Sequence, residues 1–459
     1  MAVLVGTILA LRRLSALAPG MAAPHVSDRD RTYETAAHRV LILGAGFGGL
    51  GVALGLERRL GNREDFSVLV VDRDSALLFT PLLWTVADGR ADPSDVVVPV
   101  RAFQRGRRFH LLHAEVFGID LERQEVQTSA GVRPYDVLVI ALGSVTAVPD
   151  LPGLREHARV FHSPTDALEL RNHLIDAVEA AHQTEDLDER RAWLTFVVGG
   201  GGDTGVELAA TIRTYLATGL LASYPWLTEA PPRIVVVGRA GRLVPMSDPG
   251  TSEAVRRALE REGIEVLTGV TIEGVSERTV RTSRGEIPSR TLFWAAGITA
   301  PAAVRELPVE HAGNGAVVVD DRLRVPSYPQ VYVVGDAAWA FDAETRAPVP
   351  PTAQAAGHAG RYVATAIAAD FAGEEAPPFR FRPRGYLALL GHGTGVARIG
   401  PVTFTGRLAW LLWHGYYLSR IPSWRNRLRL ATGWLLSGVT GRETAQLPLE
   451  RSPASIASR

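Results

Sequence analysis

Val40-Leu41-Ile42-Leu43-Gly44-Ala45-Gly46-Phe47-Gly48-Gly49 and Phe196-Val197-Val198-Gly199-Gly200-Gly201-Gly202-Asp203-Thr204-Gly205 are two copies of one pattern. In each, a short apolar strand runs into a glycine turn that opens a helix. Leu50, Ala53 and Leu54 after the first, and Val206, Leu208 and Ala209 after the second, continue at helical spacing. Such a turn is an anion site, because unpaired backbone N–H groups at the helix start face the pyrophosphate and only glycine lets the backbone approach it. Two copies imply two bound dinucleotides. A flavin and a nicotinamide on one chain imply hydride transfer.

The segments downstream repeat as well. After the first turn come the strand Phe66–Val71, the acid Asp72, a meander from about Glu115 to Thr128 with turn signals at Gly118–Asp120 and Ala130-Gly131, and a strand Asp136–Ala141 ending at Gly143-Ser144. After the second come Ile234–Val237, a helix over Thr251–Glu262, a meander with turns at Glu273-Gly274 and Arg284-Gly285, and a strand Thr291–Ala296 ending at Gly297. Gly44 to Gly143 spans 99 positions and Gly200 to Gly297 spans 97, so the second unit reads as a repeat inserted within the first. The fold class is α/β, with two Rossmann-like dinucleotide-binding domains, each carrying a small β-meander. The predicted boundaries are an extension over 1–35, a first domain over 36–155, the inserted domain over 156–300, and the return of the first domain over 301–385. A C-terminal region over 386–445 and a tail over 446–459 complete the chain. The N-terminal stretch is too short in its apolar run to span a bilayer, and its basic pair Arg12-Arg13 follows that run, so it reads as a disordered extension or as an overlong start with Met21 the initiator.

Composition excludes several chemistries. There is no cysteine, which rules out disulfides, thiolate metal sites and a redox-active sulfur. No metal-ligand spacing occurs among the 12 histidines, so no metal is expected. All 49 basic residues are arginine, against 49 acids, and this balance carries no nucleic-acid signature.

Further along, Val331–Val334 leads into Gly335-Asp336-Ala337, which places a carboxylate at the carboxyl edge of a sheet. Asp336 there suits either a ribityl hydroxyl or a helix N-cap. Together with Phe79-Thr80-Pro81-Leu82-Leu83, Ala141-Leu142-Gly143-Ser144, Thr204-Gly205-Val206-Glu207, Trp294-Ala295-Ala296-Gly297 and Pro350-Pro351-Thr352-Ala353-Gln354, these motifs give the chain its family likeness. Over roughly residues 38–445 it resembles the type II NADH:quinone oxidoreductases, flavoproteins with two dinucleotide-binding domains. The resemblance implies FAD in the first domain, held by Gly44, Ala45, Gly46, Gly48 and Gly49, with Asp72 on the adenosine ribose and Asp336 on the ribityl chain. It also implies that backbone at Val116, Ala141 and Ala353 lines that cofactor. NAD(P)H would sit on Gly200, Gly202, Gly205 and Gly297.

Three further residues follow from the resemblance as catalytic candidates. Glu207 is in the family's position beside the flavin, where it positions nicotinamide or relays protons; a plain helix-start carboxylate is the alternative. Gln354 and His358, four apart on one helical face, match the AQxAxQ signature at the quinone entrance, with His358 in place of the second glutamine. Either can hydrogen-bond a quinone carbonyl; His358 can equally be a surface histidine. Asp203 departs from the family's uncharged residue, and is expected to turn away and cap the helix. Where NADH-binding members carry an acid after the second strand, this chain has Gly238-Arg239, which suits a 2′-phosphate and makes NADPH use plausible; Arg239 as one more solvated arginine is the alternative.

Between Glu375 and Glu443 there is no acid but there are ten arginines, with Trp410, Trp413, Trp424 and Trp434. Apolar Trp424, Leu428, Ala431 and Leu435 recur at helical spacing among Arg425, Arg427 and Arg429. The reading is an amphipathic helical, peripheral membrane anchor over about 405–440, with arginines on lipid headgroups and indoles at their level. A homodimer interface is the rival use. The function expected is a non-proton-pumping, FAD-dependent NAD(P)H:quinone oxidoreductase on the cell membrane, at its cytoplasmic face because the nicotinamide pool is there. The alternatives are a soluble NAD(P)H-dependent ferredoxin reductase and a redox sensor or scaffold that binds both dinucleotides without turning over quinone.

Overall fold

Strand His38–Leu43 lies inside a six-stranded sheet ordered Arg324–Val325, Tyr328–Val333, Val137–Ile140, His38–Leu43, Phe66–Asp72, His110–His113. The computed structural model describes residues 33–447, and the readings for 1–32 and 448–459 lie outside the described residues. In the described part of the expected 1–35 extension and 446–459 tail, Tyr33 is buried with its hydroxyl donating to Pro134 O at 2.8 Å, and Gln446 donates to Asp176 at 2.6 Å. Only Arg324–Val325 runs antiparallel to its neighbour. Val40–Leu43 and Val68–Val71 are buried throughout, as unbroken apolar runs must be when a parallel sheet is covered on both faces. Val331 pairs with Leu138, so two stretches separated by more than a hundred residues complete one sheet.

Between them the chain builds a second, wholly parallel sheet ordered Ala158–Val160, Thr291–Trp294, Thr195–Gly199, Arg233–Gly238, Glu265–Thr268. A two-residue antiparallel ribbon, Val145–Thr146 against Ile298–Thr299, ties together the points where the chain leaves and returns. Each unit has its three-stranded meander: Val116–Asp120, Glu125–Thr128, Gly131–Pro134 in one, and Ile272–Val275, Thr279–Thr282, Gly285–Pro288 in the other. The first turns fall later than the glycines suggest. Gly118 and Gly274 lie inside strands, each where the register shifts, so they mark bulges, where a missing side chain accommodates the extra residue.

The helix Ala353–Phe371 lies directly on the helix Phe47–Leu60 opened by the first glycine turn. The contact is built from small residues: a β-carbon on Gly55 would sit 2.5 Å from that of Ala364, and one on Gly360 would sit 2.1 Å from Gly48 O. Any larger residue there would push the two helices apart.

The C-terminal region holds strands as well as the helices expected over about 405–440. It begins with a three-stranded antiparallel sheet, Tyr386–Gly391, Thr394–Ile399 and Val402–Thr405, before the helices Gly406–Arg420 and Trp424–Thr440. These helices are also anchored inward. Trp413, Ile421 and Leu430 are fully buried, and the amide of Asn426 donates to the carbonyls of Ser94, Asp95 and Val97. Arg442 and Arg90 each lie 2.8 Å from the buried Asp88 carboxylate. Burial alone would raise the Asp88 pKa, but the two guanidiniums outweigh it and hold it below the usual carboxylate range. Of the four tryptophans, Trp424 is exposed, whereas Trp413 is fully buried and Trp434 packs on the His414 ring. Trp424, Leu428 and Leu435 expose 75%, 57% and 73% of their surface. No helix of the described residues is long and apolar enough to cross a membrane.

Candidate active site

The two glycine turns are built alike. Gly44 has φ +97°, and a β-carbon there would lie 2.3 Å from Ala141 O; Gly200 has φ +137°, and a β-carbon would lie 2.5 Å from Ala295 O. Each turn is therefore pressed against the end of the strand ahead of Gly143 or Gly297. Gly49 and Gly205 close the turns, since a β-carbon on either would approach Gly44 O or Gly200 O to 1.8 Å. At Gly46 and Gly202, by contrast, nothing lies within 4 Å of a β-carbon. Both are N-caps with no side chain bonded to the helix start, so the orphan N–H groups face open space where a pyrophosphate fits.

Around the first turn, Asp72 ends its strand and accepts from the N–H groups of Ala45 and Asp74, the latter at 2.7 Å. Burial raises its pKa against those two hydrogen bonds. Asp72 O accepts from Ala114 N at 2.9 Å, which brings Val116 alongside. Asp336 lies in a single 3-10 turn with Val334 as its cap residue, so it does not start a helix; its carboxylate accepts from Ser144 Oγ at 2.8 Å. Ala353 opens its helix behind the cap Thr352, and Ala356 meets both Gly48 and Gly335. The start of this helix thus sits over the first glycine turn. Gln354 is half-buried there. His358 packs its ring on Phe379 and Phe381 at 5.7 and 5.8 Å, and burial with the nearby Arg361 and Arg384 lowers its pKa, which keeps the imidazole neutral.

Glu207 stands one turn into the helix Asp203–Tyr215, and its carboxylate accepts from Leu389 N at 3.0 Å. Its other surroundings are apolar and aromatic. Burial pushes its pKa up to about 8; the Leu389 N–H opposes this, Asp203 adds to it, and the indoles of Trp84 and Trp413 favour the anion. Tyr386 and Tyr417 complete the cage, both raised by burial and by the neighbouring carboxyl charge. Aromatic contacts continue from it to the first turn: Trp413 to Tyr417 at 4.9 Å, Tyr417 to Phe79 at 6.4 Å, Phe79 to Phe47 at 5.6 Å. Glu207 is thus joined to the helix start of the other domain.

Asp203 does not cap its helix. Gly202 holds that position, and the Asp203 carboxyl, one turn before Glu207, lies near enough to Tyr386 for its charge, after burial, to raise the phenol's pKa. That neighbour comes from the strand Tyr386–Gly391, which the sequence around Asp203 does not reveal.

Arg239 is exposed just past the strand Arg233–Gly238 and forms no ion pair among the described residues. Two arginines not singled out by the sequence lie near it. Arg284 donates to Thr268 O at 3.3 Å, and Thr268 pairs with Gly238; Arg242 has one buried guanidinium nitrogen without a partner among the described residues. No spacing signal links these three, because the meander returns Arg284 to the sheet edge.

Comparison with known proteins agrees with this geometry. Residues 38–360 match the model of the pyridine nucleotide-disulphide oxidoreductases, and residues 384–443 match that of the NDH2 C-terminal domain. The type II NADH:quinone oxidoreductases Ndh and NdhA of Mycobacterium tuberculosis are 32% and 31% identical to the chain. These alignments cover 88% and 90% of this chain, and 89% of each relative. The structure of NDH2 from Plasmodium falciparum in complex with NADH superposes with a TM-score of 0.79 over 89% of this chain and 100% of that one, at 19% identity.

Proposed function

The chain belongs to the type II NADH:quinone oxidoreductases, and from that premise we propose that it oxidises NADH or NADPH through FAD and reduces a membrane quinone without pumping protons. What carries the reading is the pair of empty-faced glycine cradles joined through the Glu207 cage. The first cradle, Asp72 and the Ser144–Asp336 pair fit FAD; Gly200, Gly202, Gly205 and Gly297 fit the nicotinamide dinucleotide. When bound, FAD supplies the hydride acceptor and the electron donor, which no side chain of this cysteine-free chain could replace.

The protein's own work is alignment and proton handling. The glycine turns fix each pyrophosphate by backbone N–H groups, which orients the rings beyond them. Glu207, its pKa pushed up to about 8, holds a proton at neutral pH among the aromatic rings that surround it. Gln354 and the neutral His358 are the proposed donors to the quinone carbonyls.

Arg239 is the proposed contact for a 2′-phosphate, supported by Arg284 and Arg242 at the same sheet edge and by the absence of an acid at Gly238. Peripheral attachment at the cytoplasmic face is proposed through the exposed Trp424, Leu428 and Leu435, with their interleaved arginines. The match to the NDH2 C-terminal domain favours this over the ferredoxin reductase reading.

The test mixes purified protein and FAD with NADH or NADPH and a water-soluble quinone, and follows nicotinamide absorbance. Quinone-dependent oxidation is expected with both donors, and Arg239→Glu should lower kcat/KM for NADPH at least tenfold while sparing NADH. Absence of quinone-dependent turnover overturns the function. A strong wild-type preference for NADH removes the phosphate contact.

A further inference from the structure

Arg361 and Arg384 stand beside His358, with Arg58 and Arg420 on adjoining helices, and none of the four forms an ion pair or donates a side-chain hydrogen bond among the described residues. Arg361 lies one turn beyond His358, with its backbone nitrogen 3.6 Å from where a β-carbon on Gly51 would be. Arg58 is seven residues past Gly51 on the same helix, hence on the same face two turns along. Arg384 follows Phe381, whose ring packs on His358. Arg420 ends the helix Gly406–Arg420, its guanidinium 6.0 Å from the Tyr416 ring. All four are exposed.

The helix that Arg420 ends reaches the other two helices through Tyr417, whose ring meets Phe79 and through it Phe47, and Phe47 O lies 3.8 Å from where a β-carbon on Gly357 would be; in keeping with that placement, burial and then the charges of Arg384, Arg420 and Arg58 lower the pKa of Arg361. Their lack of partners is not general to the neighbourhood. Arg380 and Arg382, two and four residues before Arg384, both reach Glu344, at 3.3 and 3.4 Å. A patch of four like charges with no counterion nearby is unfavourable unless an external anion meets it.

We infer that Arg58, Arg361, Arg384 and Arg420 form an anionic-lipid headgroup site that seats the dinucleotide-binding body on the bilayer, beside the helix carrying Gln354 and His358. The inference rests on the peripheral-membrane reading above and extends it beyond the C-terminal helices. A lipid surface is the occupant because Arg420 is only four residues from the exposed Trp424, which is followed by Leu428 and Leu435. Charged and apolar side chains therefore adjoin on one exposed part of the molecule. Headgroup phosphates would meet the guanidiniums while the apolar side chains enter the acyl boundary. Two of the four arginines, Arg58 and Arg361, come from helices of the first dinucleotide-binding domain, so the patch would fix how the body sits as well as holding the tail.

The experiment compares binding of the full chain to vesicles of phosphatidylcholine alone and to vesicles containing phosphatidylglycerol, by flotation. Wild type should favour the anionic vesicles, with the excess lost at high salt. Each arginine near an anionic surface is worth roughly fivefold in partitioning, so R58Q/R361Q/R384Q should lose on the order of a hundredfold on anionic vesicles and little on neutral ones. R58Q alone, remote from the C-terminal helices in sequence, should lose about fivefold, and circular dichroism checks that both variants are folded. Equal wild-type binding to both vesicle types, or unchanged binding of the folded triple variant to anionic vesicles, overturns the headgroup site. Failure of wild type to bind either vesicle overturns the membrane reading itself.

Discussion

Glu207→Gln is expected to stabilise the protein, by an amount that grows with pH. In the folded chain burial moves the Glu207 carboxyl from 4.5 to about 8, while in the unfolded chain it keeps its ordinary value. An acid whose folded pKa is raised holds its proton more tightly in the native state. Its contribution is therefore intact below the unfolded pKa and is lost progressively as pH rises toward the folded one. The slope is about 1.4 kcal/mol per pH unit, so between pH 5 and 8 the wild type should lose roughly 4 kcal/mol at most. Glutamine keeps the shape and the acceptor for Leu389 N–H but does not titrate. Thermal melts of wild type and variant across pH 5–9 provide the measurement. At about 2 cal/mol/K per residue, a chain of this length converts that energy into a shift of a few degrees. The two curves should nearly coincide at pH 5, separate steadily to pH 8 with the variant higher, and run parallel above it. A separation that does not change with pH, or a wild type that melts higher at pH 8, would falsify the idea that burial, and not catalysis alone, sets the protonation of Glu207.

The other expectations concern separate parts of the molecule. Gly205→Ala drives a β-carbon into Gly200 O and should destabilise the second domain by several kcal/mol, whereas Gly202→Ala meets open space and should leave the melting temperature unchanged while raising the nicotinamide KM at least tenfold; equal melts for the two variants contradict the cradle geometry. Asp88→Leu strands Arg90 and Arg442 without their carboxylate and should cost about 3–5 kcal/mol, read as faster proteolysis of the C-terminal helices; unchanged protection means the ion pairs do not hold them. Truncating the chain before residue 405 should unfold it and not merely solubilise it, because Trp413 and Leu430 belong to the core. Trp424→Ser with Leu428→Ser is the cleaner perturbation: it should release the folded protein from neutral vesicles, and undiminished flotation argues against this attachment face.

The residues that act on their immediate neighbours were readable in the sequence. Gly44, Gly49, Gly200 and Gly205 announce the cradles because the constraint on each comes from backbone within a few residues or from the adjoining strand end. Asp72 and the paired plans of the two units follow from the same local spacing, as does the exposed stripe Trp424, Leu428, Leu435. What depends on distant chain did not show. Asp203 read alone is a helix cap, but Gly202 takes that position, and the carboxyl's neighbour Tyr386 comes from nearly two hundred residues later. Trp413 and Trp434 read as interfacial indoles, yet Trp413 is fully buried and Trp434 is half-buried against the His414 ring. The proton affinity of Glu207 and the gathering of Arg58, Arg361, Arg384 and Arg420 belong to the same class. Burial and long-range charge are sums over residues that meet only in three dimensions. Periodicity therefore determined the elements and the two dinucleotide cradles, while tertiary packing decided which carboxyl keeps its proton, which rings are hidden and which cations are left without a partner.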